Sequence, residues 1–153
     1  CATAGGDMIP IHVFVAGDPR GQPRPRAFYR KGLGVRVYDA GTAEGWKGQI
    51  ALALRPYLPP VPTADPIRLE LRFVLARPKS HYRKGGTLTP SAPLAHTSKP
   101  DADNLAKAVM DAIQHLGVWV DDAQVDALIV TKRWTTDRED VAGCQIHLNT
   151  PTL

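Results

Sequence analysis

The chain has 153 residues, 43% of them hydrophobic and 22% charged, with 19 Lys and Arg against 15 Asp and Glu for a net charge of +4. That length and balance describe one globular domain with a core of its own, and they exclude a low-complexity chain and, with only Cys1 and Cys144, a disulfide-stapled scaffold. No apolar run approaches a membrane span and no secretory leader is visible, so a cytoplasmic protein without a membrane partner is expected.

Residues 1–8 open without methionine and are read as a flexible N-terminus or a trimmed or expression remnant, ahead of a folded domain over 9–150. Ile9, Ile11, Val13 and Val15 recur at period two and predict a strand over 9–16. The stretch GDPRGQPRPR follows, with prolines at 19, 23 and 25 that forbid a helix. A second strand is expected over 34–39, making 9–39 a wide hairpin around a basic loop. Asp39 or Thr42 would then cap a helix over 43–56 with Trp46, Ile50 and Leu54 on one face. After a proline-rich connector over 56–66, the alternation of Ile67, Leu69, Leu71, Phe73 and Leu75 with Arg68, Glu70 and Arg72 is the clearest strand. Residues 77–100 lack periodicity, and a loop of that length within a small domain points to function or disorder. Leu105, Ala108, Val109, Ala112, Ile113 and Leu116 form one apolar stripe, predicting a helix over 104–116 that stops at Gly117. Strands over 125–134 and 141–148 flank the acidic turn TTDRED. The expected fold is a single small α+β domain, order ββαβαββ, with a mixed, mostly antiparallel sheet and two main helices.

Charge is segregated along this chain. Arg20, Arg24, Arg26, Arg30, Lys31 and Arg36 occur with no acid among them, as do Arg77, Lys79, Arg83, Lys84 and Lys99. Nine of the 15 acids lie between Asp101 and Asp140. Two purely basic loops beside an acid-rich half suit a polyanion partner together with a cation-binding carboxylate pocket.

Chemistry is concentrated in KPDADN. Asp101 and Asp103 stand two apart before the best helix, where extended chain would project both the same way. Asp121 and Asp122 follow the same helix after GVWV, and the four carboxylates are expected to converge on a hard divalent ion such as Mg²⁺, with Mn²⁺ as a substitute. Lys107, one helical turn after Asp103, would stabilise charge on a phosphate, and Asp111 would hold Lys107 by an i, i+4 pair. Each residue alone also has a structural reading: a helix cap, a solvated turn, a surface lysine.

The stretch HTSKPDADNLAKAVMDAIQHLGVWVDDAQV (96–125) resembles the RusA family of Holliday-junction resolvases, through Asp101, Asp103, Asn104, Lys107, Asp111, Trp119, Asp121, Asp122 and Gln124. GDPRGQPRPRAFYR and FVLARPKSHYRK are similar to flanking family segments, so the likeness touches about 13–148. It implies a homodimeric, Mg²⁺-dependent endodeoxyribonuclease that resolves four-way junctions by paired symmetric nicks in recombination and repair. By position, Asp101, Asp103 and Asp122 would be catalytic carboxylates, with Asp121 the second choice for the third, Lys107 essential, and Asn104 and Asp111 supporting. The departures are Ala102 in place of a larger aliphatic residue and the long 77–98 insertion. Two rival readings stay open: a non-catalytic junction- or DNA-binding module, and a metal nuclease acting on other branched nucleic acid.

Overall fold

The computed structural model describes residues 10–23, 26–30, 34–38 and 43–150, without the side chains of 26–30 and 34–38. In it the period-two segments become strands and the period-3.6 segments helices. In chain order these are β1 (Ile11–Ala16), β2 (Arg26–Arg30), β3 (Gly34–Tyr38), α1 (Glu44–Leu54), β4 (Ile67–Leu75), α2 (Ala102–Leu116), β5 (Val125–Trp134) and β6 (Gly143–Asn149). The α+β class is as expected, with β2 as one extra short strand. The expectations for residues 1–8, and for Asp39 and Thr42 as caps, lie outside the described residues. Helix α1 starts after Ala43 with no side-chain cap.

Four strands form the main sheet in the order β1-β6-β4-β5. β6 is antiparallel to both β1 and β4, and β5 lies parallel to β4 on the outer edge. The expected wide hairpin over 9–39 is corrected here. β1 takes β6 as its partner, from Ile11 opposite Leu148 to Ala16 opposite Gly143. The basic segment instead closes on itself as a separate ribbon, with Arg26 of β2 opposite Tyr38 of β3. Pro19, Pro23 and Pro25 lie between β1 and β2, and a proline-broken segment cannot continue a ladder along β1.

Both helices cover one face of the sheet, α1 over β1 and α2 beside β5. The inward row of β4 is buried throughout, as its alternation requires. It packs with Ile11, Val15, Ile146 and Leu148 of the neighbouring strands, with Trp46, Ile50 and Leu54 of α1, and with Leu105, Val109 and Ile113 of α2. Helix α2 begins two residues earlier than its apolar stripe implies and ends at Gly117. There φ is 89°, and the glycine N–H returns to the carbonyls of Gln114 and Ile113. A side chain at that left-handed position would be strained. Cys144 is fully buried, and burial pushes its thiol far above the ordinary range, so it is inert in the folded chain.

The acidic turn between β5 and β6 is held by Asp140. Its carboxylate accepts from Arg133 Nη1 at 2.8 Å, from the Thr136 N–H at 2.8 Å and from the Thr136 hydroxyl at 3.1 Å. The Arg133 hydrogen bond, followed by the Thr136 N–H, holds the Asp140 carboxyl down at about 2. A folded-state value below the unfolded one gives stability that is complete above roughly pH 4 and lost as the carboxyl protonates toward pH 2. Asp140→Asn is therefore expected to flatten the acid limb of a pH–stability curve measured by urea denaturation. An unchanged limb would show that this turn is not anchored by the charge.

Candidate active site

The head of α2 is where the sequence motif and the basic N-terminal segment meet. Asp101 is the helix N-cap residue, with extended backbone (φ −71°, ψ 149°), and makes no side-chain cap bond. Its Oδ2 lies 2.8 Å from Lys99 Nζ, in an ion pair whose lysine is 86% exposed. Asp103 sits in the first helical turn, exposed, with Lys107 exposed one turn further along. Because the helix begins at Ala102, the pair does not lie in extended chain as the sequence suggested. Asp101 leaves from extended backbone and Asp103 from the helix itself, so the rule that side chains two apart point alike no longer applies.

The segment leading out of β1 packs directly on this head. The Gln22 N–H donates to the Asn104 carbonyl at 3.1 Å, and a Cβ on Gly21 would stand 2.4 Å from Asn104 Nδ2. Glycine at 21 is what allows that approach, and Asn104 is the docking point for the chain that carries the basic residues. Arg20 is more than half exposed and pairs with Asp18 at 2.6 Å. Of the other expected DNA contacts, Lys79, Arg83 and Lys84 are exposed on the 77–100 strap. Arg24 and Lys31 lie outside the described residues. Arg26 and Arg30 are placed only as the two ends of β2.

The second pair of aspartates belongs to the other end of the helix. Asp121 caps a short 3-10 turn, Asp122–Gln124, accepting from the Ala123 N–H at 2.8 Å in a reciprocal capping box with Gln124. Gln124 receives the N–H groups of Val120 and Asp121 and donates to the carbonyls of Thr63 and Asp65, which ties this turn to the connector before β4. Asp122 accepts the indole N–H of buried Trp119 at 3.0 Å. The Gln114 amide, oriented with its nitrogen toward the carboxylate, donates to both Asp122 oxygens at 2.9 and 3.2 Å.

The four aspartates thus do not converge within one chain. Asp103 and Gln114 are eleven residues apart along α2, about 16 Å at the helical rise. Among the described residues no three His, Cys, Asp or Glu side chains gather as a metal cluster. The oxygen donors at 101 and 103 have the chemistry that a hard divalent ion takes, but they are only part of a ligand set.

Asp111 is a second correction. Its carboxylate pairs with Lys47 of α1 at 2.7 Å, fastening the two helices together, rather than with Lys107. Lys107 is thereby left on the exposed side of α2.

Sequence reading passed over Lys132. The residues of β5 beside inward-facing Leu69, Leu71 and Phe73 are Leu128, Val130 and Lys132, so a charged side chain stands in an apolar row. That break in alternation was the available signal, since a lysine on the covered side of a sheet needs polar partners. The Lys132 ammonium donates to the carbonyls of Ser98 at 2.8 Å and Pro100 at 2.9 Å.

Two comparisons bear on this arrangement. The family profile described as Endodeoxyribonuclease RusA matches residues 16–142. The uncharacterised protein YqaN of Bacillus subtilis (strain 168) is 32% identical over 129 residues, covering 83% of this chain and 89% of that protein. The profile's span runs from the end of β1 through the head of α2 and the Asp121–Asp122 turn.

Proposed function

The chain belongs to the RusA endodeoxyribonuclease family, and from that premise we propose that it resolves four-way DNA junctions by metal-assisted hydrolysis of phosphodiesters, leaving 5′-phosphate ends. The observation that carries this reading is the meeting of Asp101 and Asp103 with the basic N-terminal segment at the head of α2. Asp101 and Asp103 are the residues that would hold Mg²⁺, or Mn²⁺ in its place. A bound ion supplies charge to the scissile phosphate and acidity to the attacking water. Lys107 is exposed one turn along α2 from Asp103 and would neutralise charge on a phosphate oxygen. Arg20, Lys79, Arg83 and Lys84 would track backbone phosphates, giving salt-sensitive affinity with little sequence reading.

A homodimer is part of the proposal, for a geometric reason. Among the described residues nothing pairs with the outer edge of β5 before Arg133, and Leu128 and Ile129 on that strand are 44% and 51% exposed. An unprotected apolar edge invites a strand. Antiparallel pairing of β5 with its copy would bury those residues and lay each α2 head to tail beside the other. The Asp101–Asp103 end of one protomer would then face the Asp121–Asp122 end of its partner. A twofold pair also presents two equal sites to a junction that is itself nearly twofold.

The test is a Mg²⁺ titration of cleavage on a synthetic four-way junction against flap and linear duplex, with solution mass measured in parallel. Symmetric nicks on the junction by a dimer are expected. Tight binding with no cleavage in Mg²⁺ or Mn²⁺ would instead establish a binding module, and preferred cleavage of flaps a different branched substrate. Lys107→Ala is expected to lower single-turnover cleavage about 100-fold while junction affinity changes by less than about 3-fold, because the ammonium acts where charge develops. Equal losses in both would make Lys107 an ordinary phosphate contact.

A further inference from the structure

The strap over 77–100 carries the chain from β4 to the head of α2, and the end of β5 holds it at successive points. Arg77 donates to the carbonyls of Thr135 and Pro93. The Trp134 N–H donates to the Leu94 carbonyl at 2.9 Å, and Ala95 bridges Arg133. His96 is 4% exposed, with its ring 4.2 Å from that of Trp134. Lys132 then takes the carbonyls of Ser98 and Pro100, the last residue before Asp101. Walking back along β5 from 135 to 132 therefore walks forward along the strap from 93 to 100.

The terminal contact, like that of Arg77 at the start of the strap, is a cation holding two backbone carbonyls. The Arg77 guanidinium, backbone bonds and ring packing fix the strap up to His96, but among the described residues nothing pairs as a strand with 97–100. A charged donor satisfying two carbonyls inside three residues is a strong restraint there, because hydrogen bonds to an ionised group are about twice as strong as neutral ones. Lys99, the other cation of this stretch, points into solvent and pairs with Asp101 itself.

Resting on the reading of Asp101 and Asp103 as the reactive carboxylates, we propose that Lys132 is a positioning residue: its ammonium clamps the Ser98–Pro100 backbone and so fixes where those two carboxylates stand. Lys132 touches neither DNA nor the reacting atoms in this role. Small misplacements of a reacting group are costly, so the clamp should matter to turnover much more than to binding.

The test uses the full chain as Lys132→Met, which keeps the stem and removes the ammonium, with Lys132→Arg as the conservative variant. Backbone order is read by ¹⁵N relaxation, and cleavage and affinity on a four-way junction are measured alongside. Lys132→Met is expected to raise picosecond–nanosecond mobility at residues 97–103 while leaving β4, β6 and the middle of α2 unchanged. Single-turnover cleavage should fall at least about 30-fold with affinity within about 3-fold, and Lys132→Arg should restore order and cleavage together. Unchanged order at 97–103 overturns the proposal, as does increased mobility with normal cleavage. A loss of affinity and of salt dependence with the strap still ordered also overturns it, making Lys132 a phosphate contact. Should the wild-type chain cut no branched DNA, the nuclease reading fails, and the relaxation data still decide whether Lys132 organises the segment before Asp101.

Discussion

Asp103→Asn is expected to reduce junction cleavage by at least about 1,000-fold in Mg²⁺, with junction affinity within about 3-fold of wild type. Asparagine keeps the size of the side chain and one oxygen but removes the charge that a hard cation requires. Asp103 is exposed in the first turn of α2, so little packing changes. Its charge also gives up an attraction to the helix N-terminus of about 0.3–1 kcal/mol. Removing a negative charge adds no repulsion toward phosphate, which is why binding should persist. The measurement is single-turnover cleavage beside a gel-shift titration, with thermal melting as the control for folding. Turnover near wild type would remove Asp103 from the site and with it the central assignment.

Trp119→Ala is expected to lower stability by about 3–5 kcal/mol, the usual loss for truncating a large buried aromatic residue. Trp119 is 1% exposed and belongs to the main apolar cluster. Its backbone also pairs with Thr63, and its indole N–H is one of the groups fixing Asp122. Urea denaturation should show a lower midpoint with a similar slope. Trp119→Phe separates packing from the hydrogen bond: most of the ring stays, and stability should fall by only about 1–2 kcal/mol. If Asp122 acts in cleavage, this milder variant should lose turnover out of proportion to its stability. Proportionate loss of both would make the indole a core residue and nothing more.

The helices and the main strands could be read from residue order because their signals are local. The alternation from Ile67 to Leu75 and the stripe from Leu105 to Ile113 both record which side of an element meets the core. The motif around Asp101, Asp103 and Lys107 was equally legible, since its residues lie within two turns of chain. Partner choice was not. Nothing near Ile11 states that its strand pairs with 143–149 rather than with 34–38, and nothing near Asp111 states that Lys47 lies closer than Lys107. Such pairings depend on groups far apart in sequence, and burial selects among them only once the sheet has formed.

Composition and spacing by themselves thus determined the class of fold, the two helices and the inward faces of the strands, while the family was legible only through the motif's resemblance to known members. Only the tertiary structure decided that the two aspartate pairs stand at opposite ends of α2, that the basic segment docks through Gly21 on Asn104, and that Lys132 grips the chain ahead of Asp101. The first set follows from periodicity that each element carries within itself. The second follows from the fixed rise of a helix and from close contacts between segments tens of residues apart, neither of which a local pattern can encode.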